Sequence, residues 1–191
     1  MVIAFIDFEA SALENGYPIE VGYARSDGRV GAFLIKPRME WNTLSWSVAS
    51  EHIHRLPLTL LDQGTDAGEV CARLNVELQG CACFSDAPAF DWRWLAMLEP
   101  GRVPEFRLMN TPADTLLMHA ADEAGIPGPT AARIVDRSMR LGGHAAAGDA
   151  AALAAGHEIL NRQGEIRMME VEACFRRWQE LAATASAWRI R

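Results

Sequence analysis

Four carboxylates and one histidine carry the chemistry this chain can offer. Asp7 and Glu9 interrupt Val2-Ile3-Ala4-Phe5-Ile6-Asp7-Phe8-Glu9-Ala10-Ser11, an apolar run rich in β-branched and aromatic residues that reads as a strand buried on both faces. Strand side chains alternate, so the two acids point to the same side, at the margin of a core. Ionised carboxylates rarely persist there unless something cationic offsets their lost hydration, and a hard divalent ion with oxygen ligands would do so. No Lys or Arg stands nearby in the sequence to compete. The plainer alternative leaves both acids past the sheet edge, in water. Asp91 follows in Phe84-Ser85-Asp86-Ala87-Pro88-Ala89-Phe90-Asp91-Trp92-Arg93-Trp94-Leu95, at the start of a helix just after a strand. Asp149 closes Gly142-Gly143-His144-Ala145-Ala146-Ala147-Gly148-Asp149, which puts His144 at a glycine-hinged helix start and the acid about one turn inside.

The elements that must position these groups can be read in order. Glu14-Asn15-Gly16 is a turn, Ile19 to Arg25 a second strand, Ser26-Asp27-Gly28 a hairpin turn, and Val30 to Ile35 a third strand stopped by Lys36-Pro37. The stretch Arg38 to Pro57 is irregular and holds Trp41, Trp46, His52 and His54; its aromatics either pack beneath a loop or line a groove for bases. Asp66 to Leu78 is helical with Asp66 as N-cap, Cys81 to Ser85 is strand-like, and Pro88 to Leu98 is a second helix. Phe106 to Met109 is a short strand. Pro112 to Ala124 is a helix that Thr111 can cap, Thr130 to Arg140 is weakly helical, Ala145 to Asn161 is strongly so, and Ile166 to Ala183 is the last helix. Strands first and helices later imply an α/β protein with a mixed sheet covered by helices.

Composition narrows the function classes. With 191 residues, half of them apolar and 23% charged, the chain is long enough for one domain with a substantial core. No apolar run reaches the length of a membrane span, and the N-terminal run lacks the basic region of a signal peptide. Cys71, Cys81, Cys83 and Cys174 form no CxxC pair, so neither a structural zinc site nor a disulfide is expected, and a reducing, cytoplasmic setting follows. The net charge of −7 argues against a broad basic surface for duplex nucleic acid. It leaves room for a nucleic-acid enzyme, because bound divalent cations place positive charge where a phosphate must sit.

In this order and spacing, Asp7-Phe8-Glu9, Phe90-Asp91 with Leu95, and His144-x4-Asp149 resemble the motifs of the DEDDh-type 3′-to-5′ exonucleases, a family with the ribonuclease H-like fold. Glu51-His52-Ile53-His54-Arg55-Leu56 is similar to the family's Ile-His-Gly/Arg-Ile stretch, and the resemblance covers about residues 2–160. It implies a mixed five-stranded sheet flanked by helices, in a single exonuclease domain over 1–191 on which a C-terminal helix, 164–188, packs. It implies that Asp7, Glu9, Asp91 and Asp149 hold two Mg²⁺ or Mn²⁺ ions about 4 Å apart. It implies His144 as general base, a role an imidazole's ordinary titration range suits. The Gly142-Gly143 hinge suggests that His144 stays mobile until substrate orders it. Ala10, Ser11, Leu13 and His54 fall where the family borders its terminal nucleotide, with Leu13 as the apolar wedge on the last base.

Two departures bear on substrate. Where many relatives continue the first motif with Thr, this chain has Ala10, so a hydroxyl that could touch the terminal sugar is missing and the choice between DNA and RNA stays open. Where the second motif often opens His-Asn, this chain has Asp86-Ala87. Asp86 reads first as a cap for the helix near Pro88, and alternatively as a fifth acid that tunes a metal or steers substrate. Elsewhere, His119 and His157 read as surface residues. One of Trp92 and Trp94 reads as core and the other as facing the groove; Trp178 and Trp188 read as anchors of the last helix, with Arg189 and Arg191 as a small basic tail. The expected function is release of nucleoside 5′-monophosphates from a free 3′ end, in single-stranded or short nucleic acid, as in stand-alone members such as ribonuclease T, oligoribonuclease and small DNA repair exonucleases. A homodimer through the last helix is possible, although that helix could equally complete the monomer core. The alternative is a catalytically silent nucleic-acid-binding module that retains the fold.

Overall fold

A computed structural model describes residues 2–101, 104–162 and 166–190. Gly164 and Glu165, expected to start the last helix, and Arg191 of the basic tail lie outside the described residues, as does the side chain of Arg189. The strands are β1 (Ile3–Ala10), β2 (Pro18–Arg25), β3 (Val30–Lys36), β4 (Thr65–Asp66), β5 (Ala82–Phe84) and β6 (Arg107–Leu108). They form one mixed sheet in the order β4-β3-β2-β1-β5-β6. The helices are α1 (Val48–His54), α2 (Ala67–Glu77), α3 (Pro88–Leu98), α4 (Ala113–Glu123), α5 (Gly128–Arg140), α6 (Ala146–Leu160) and α7 (Met168–Ala185).

β1 lies at the centre because its apolar residues serve both faces. Phe5 packs with α4, α5, α6 and α7, whereas Ala4 and Ile6 pack on the other face with α2, α3 and the 38–63 segment; all three are fully buried. Cys81 and Cys83 join the Ala4 and Ile6 face, and all four cysteines are buried outside any disulfide. α6 owes its position to small residues. Its alanines are almost wholly buried, and a Cβ added to Gly22 of β2 would meet the backbone N of Ala147 at 2.1 Å, so helix and sheet touch backbone to backbone. α7 turns Val171, Cys174, Phe175 and Trp178 onto this chain's own core, and the Trp178 indole donates to Glu158 Oε2 at 2.9 Å. No described helix is long and apolar enough to cross a membrane.

The structure corrects the sequence reading in four places. The sheet has six strands rather than five: Thr65–Asp66 runs parallel to Ile35 and Lys36, and two residues are too few to show a period. The 38–57 stretch is not irregular throughout, since it holds a 3₁₀ turn (Met39–Thr43) and α1, which Ser47 caps by accepting the Ser50 amide at 3.2 Å. Thr111 does not cap α4, whose N-cap is Pro112 with no side-chain bond. His157 is half-buried rather than on the surface, edge-on to the Phe5 ring at 5.6 Å.

Candidate active site

The parallel pairing of β1 with β5 aligns Phe5 with Phe84, so both strands end at the same edge of the sheet. Two residues further along each chain stand Asp7 and Asp86. Loops at the carboxyl ends of parallel strands are where open α/β sheets hold ligands. Glu9 sits opposite Glu20 of β2, and the β1–β2 register slips between Glu9 and Ala10, a bulge at the same edge. Asp91 lies in the first turn of α3, buried beneath this edge.

The last part of the site is fixed by the start of α6. Glu20, a lone acid in the buried strand Pro18-Ile19-Glu20-Val21-Gly22, accepts the Ala146 N–H on Oε2 at 3.0 Å and so ties the helix start to β2. Asp149 stands in the first turn, where the helix dipole favours a carboxylate. The loop before it passes so close that a Cβ on Gly142 would meet Asp149 Oδ1 at 2.0 Å and its Cα at 2.3 Å. Gly143 and His144 then both adopt left-handed backbone, at φ +71° and +59°.

These elements enclose a cleft of about 390 Å³ whose wall includes Asp7, Glu9, Asp86, Asp91, His144 and Asp149. Ligand atoms of Glu9, His144 and Asp149 lie within 4.8 Å of one another, as do those of Asp7, Asp86 and Asp91. All five residues of the expected set are therefore brought together. Crowded acids resist ionisation, and the effect is visible here. Burial, and then the charges of Asp149, Glu9, Asp91 and Asp86, hold the Asp7 carboxyl well above the usual carboxylate range. Burial chiefly pushes Asp91 up to about 7. Asp91 Oδ2 is buried without a hydrogen-bond partner, and no Lys or Arg is among the described residues lining the cleft. Hard oxygen donors, an orphaned buried carboxylate oxygen and mutual repulsion fit a divalent cation of the Mg²⁺ or Mn²⁺ type.

The expected substrate contacts divide. Leu13 is 66% exposed at the cleft wall, on a loop whose Leu13 carbonyl accepts from Arg93 of α3 at 3.3 Å. Ala10 also lines the cleft, as does buried His54, whose Nδ1 accepts the Leu56 amide at 3.1 Å, so that the neutral ring carries its proton on Nε2. Ser11 does not line the cleft. It is fully buried, its hydroxyl donating to the Ser45 carbonyl at 2.8 Å and accepting the Tyr17 amide at 2.9 Å, and so it pins the loop behind Leu13. Trp94 is the tryptophan packed in the core and it also borders the cleft, while Trp92 lies outside it. Trp41 stacks on Tyr17 at 5.6 Å, away from the cleft. Sequence reasoning missed Ile53 and Met139 in the wall and Glu20 behind it; only Glu20 left a signal, as an acid among apolar strand residues.

Similar solved structures carry the same fold. A 3′-exonuclease described for 3′-end-specific recognition of a histone mRNA stem-loop superposes with a TM-score of 0.56 at 13% identity, over 87% of this chain and 65% of that one. An exonuclease I structure gives a TM-score of 0.59 at 15% identity, over 92% and 42%. E. coli exonuclease I in complex with a dA16 oligonucleotide gives 0.58 at 12% identity, over 92% and 42%. The chain thus spans 42% to 65% of the length of these structures. No family model matches the chain, and no curated protein matches it. At these identities the likeness establishes the fold, the ribonuclease H-like mixed sheet flanked by helices.

Proposed function

We propose that the chain is a metal-dependent 3′-to-5′ exonuclease that releases nucleoside 5′-monophosphates from single-stranded or short nucleic acid. One observation carries this reading: Asp7, Glu9, Asp91, His144 and Asp149, scattered over 143 positions of sequence, meet in one cleft. Two kinds of support stand beside it, the motif resemblance and a fold shared with a 3′-exonuclease and with exonuclease I, the latter solved with a dA16 oligonucleotide.

Asp7, Glu9, Asp91 and Asp149 would hold two Mg²⁺ or Mn²⁺ ions. When bound, such ions supply positive charge at the scissile phosphate and acidify a water. An imidazole nitrogen of His144 takes the proton of the attacking water, whose oxygen bonds to phosphorus as the P–O3′ bond breaks. The departing 3′-oxygen gains a proton from solvent, and the phosphate stays on the 5′ side of the released nucleotide. Leu13 packs on the terminal base, Ala10 and His54 border the terminal nucleotide, and Ser11 supports that wall from behind. Removal of the last residue from a free 3′ end suits a short cleft walled by Leu13, Ile53 and Phe90. Four cysteines outside any disulfide fit a reducing, cytoplasmic setting.

The test is a time course on end-labelled single-stranded RNA and DNA of equal sequence, in Mg²⁺ and in Mn²⁺, with Asp7→Ala alongside. A ladder shrinking from the 3′ end, absent with Asp7→Ala, is expected, and the faster substrate identifies the sugar. Binding of either strand without cleavage in both metals would replace this reading with that of a silent binding module.

A further inference from the structure

Asp86 has no place among the four carboxylates that the motifs mark, yet the fold delivers it to them. In the aligned register of β1 and β5 it lies two residues past Phe84, as Asp7 lies two past Phe5. Its carboxylate oxygen comes within 4.8 Å of ligand atoms of both Asp7 and Asp91. The structural role expected of it is not filled: the N-cap of α3 is Ala87, and no side chain caps that helix. Instead its carboxylate accepts from the amides of Asp86 and Ala87 and lies close enough to Asp114 and His144 to feel their charges. Burial raises its carboxyl above the ordinary range, and Asp114 adds to the effect. A second, independent feature points to an occupant between these acids. Asp91, 2% exposed, brings a carboxylate oxygen within 4.8 Å of theirs and keeps its buried Oδ2 without a hydrogen-bond partner. A buried orphan oxygen is costly, and a cation shared with neighbouring carboxylates is the chemistry that removes the cost.

We propose that Asp86 is a fifth oxygen ligand of the cation cradle, serving the ion held on the Asp7 and Asp91 side of the cleft. The proposal rests on the exonuclease reading only in placing divalent cations in this cleft. It sets the chain apart from a four-acid site: with two divalent ions bound, four carboxylates come to zero net charge and five to minus one. The added ligand charge tightens the ion it touches, since ligand charge count tunes affinity for hard cations.

The experiment is Mn²⁺ binding to the full chain by calorimetry, with paramagnetic resonance counting the bound ions. Wild type, Asp86→Asn, Asp86→Ala and Asp114→Asn are compared, each first melted in chelator to establish that it folds. Asp114 is the control for long-range charge, because it faces Asp86 without joining the cluster. The expected result is two ions in wild type and in Asp114→Asn at equal affinity. In both Asp86 variants one of the two sites weakens about tenfold or more while the other keeps its affinity. Asp86 variants that bind both ions as tightly as wild type overturn the assignment of Asp86 and leave the exonuclease reading standing. Equal weakening by Asp114→Asn also overturns it, as bulk charge would then suffice. Wild type that binds no Mn²⁺ overturns both.

Discussion

The buried carboxylate of Glu20 accepts the backbone N–H of Ala146 at 3.0 Å, joining β2 to the first residue of α6 across 126 positions of sequence. That bond fixes where α6 begins, and α6 carries Asp149 one turn further on, with His144 just ahead of it. Glu20→Ala leaves a buried amide without its acceptor and is expected to cost about 2 kcal/mol of stability. It should also lower the rate of the proposed exonuclease reaction at least tenfold, since such a site tolerates little displacement. Glu20→Gln keeps an acceptor and should lose less on both counts. Denaturant melts and single-turnover rates of the two variants check this; equal activity of Glu20→Ala and wild type would mean that the helix start is held by other contacts.

Two glycines separate global from local damage. A Cβ at Gly22 would meet Ala147 N at 2.1 Å and Ala146 C at 2.2 Å, so Gly22→Ala must push α6 off the sheet. A loss of roughly 4 kcal/mol or an insoluble product is expected. At Gly142 the same methyl would meet Asp149 itself, in a surface loop that can move away. Gly142→Ala should fold with a modestly lowered Tm, yet lose most of its stabilisation by Mn²⁺ and its activity. Thermal melts with and without Mn²⁺ give both readings.

The raised carboxyls of Asp7 and Asp91 set the pH dependence of the metal-free protein. An unfolded aspartate titrates near pH 4, whereas Asp91 in the fold titrates at about 7, raised by burial, and Asp7 also lies well above its ordinary value. Between those limits the folded chain holds more protons than the unfolded one, so its stability falls as pH rises through the window. In chelator the Tm is therefore expected to drop from about pH 4 toward about 7, with half-buried His157, its imidazole held below the ordinary value by burial, working against the drop in the upper part of that range. Mn²⁺ selects the ionised acids, so its stabilisation should grow over the same range. A chelator profile that is flat or rising would contradict the crowding of charge described here.

How much of this was legible in the sequence follows from the length scale of each signal. β1 and α6 could be read because a long apolar run and a long alanine-rich run each leave a pattern, and α3 spans Pro88–Leu98 as its proline and its apolar spacing predict. The acids Asp7, Glu9, Asp91 and Asp149 could be read as a set because their motifs follow one another in the order and spacing of the family they resemble. β4 was not, because two residues carry no period. Ser11 departs for a different reason: it adjoins the first motif in sequence, and only the tertiary fold turns its hydroxyl inward to Ser45 and Tyr17. Asp86 looked like a helix cap because an acid ahead of Pro88 fits that local rule. The pairing of β5 with β1, a long-range fact, carries it to Asp7 instead.

His144 offers the sharpest separation of chemistry from architecture. Its ring lies within reach of Glu9 and Asp149, so it is placed either to take a proton or to ligate a cation directly. The two roles differ in what the metal feels. If His144 is the general base, His144→Ala lowers the rate by roughly 10²- to 10⁴-fold while Mn²⁺ still raises the Tm as it does in wild type. If it is a ligand, the same variant loses part of that rise together with the rate. Asp149→Asn supplies the reference, for it should lose both. The backbone at residues 143 and 144 favours the first outcome: two consecutive left-handed residues put the ring on an exposed loop rather than on a strand or helix. A proton acceptor that must meet water and substrate can work from such a loop, whereas precise ligation favours rigid elements. Rate loss with the Mn²⁺ stabilisation retained is therefore the expected result, and joint loss would reassign His144 to the metal.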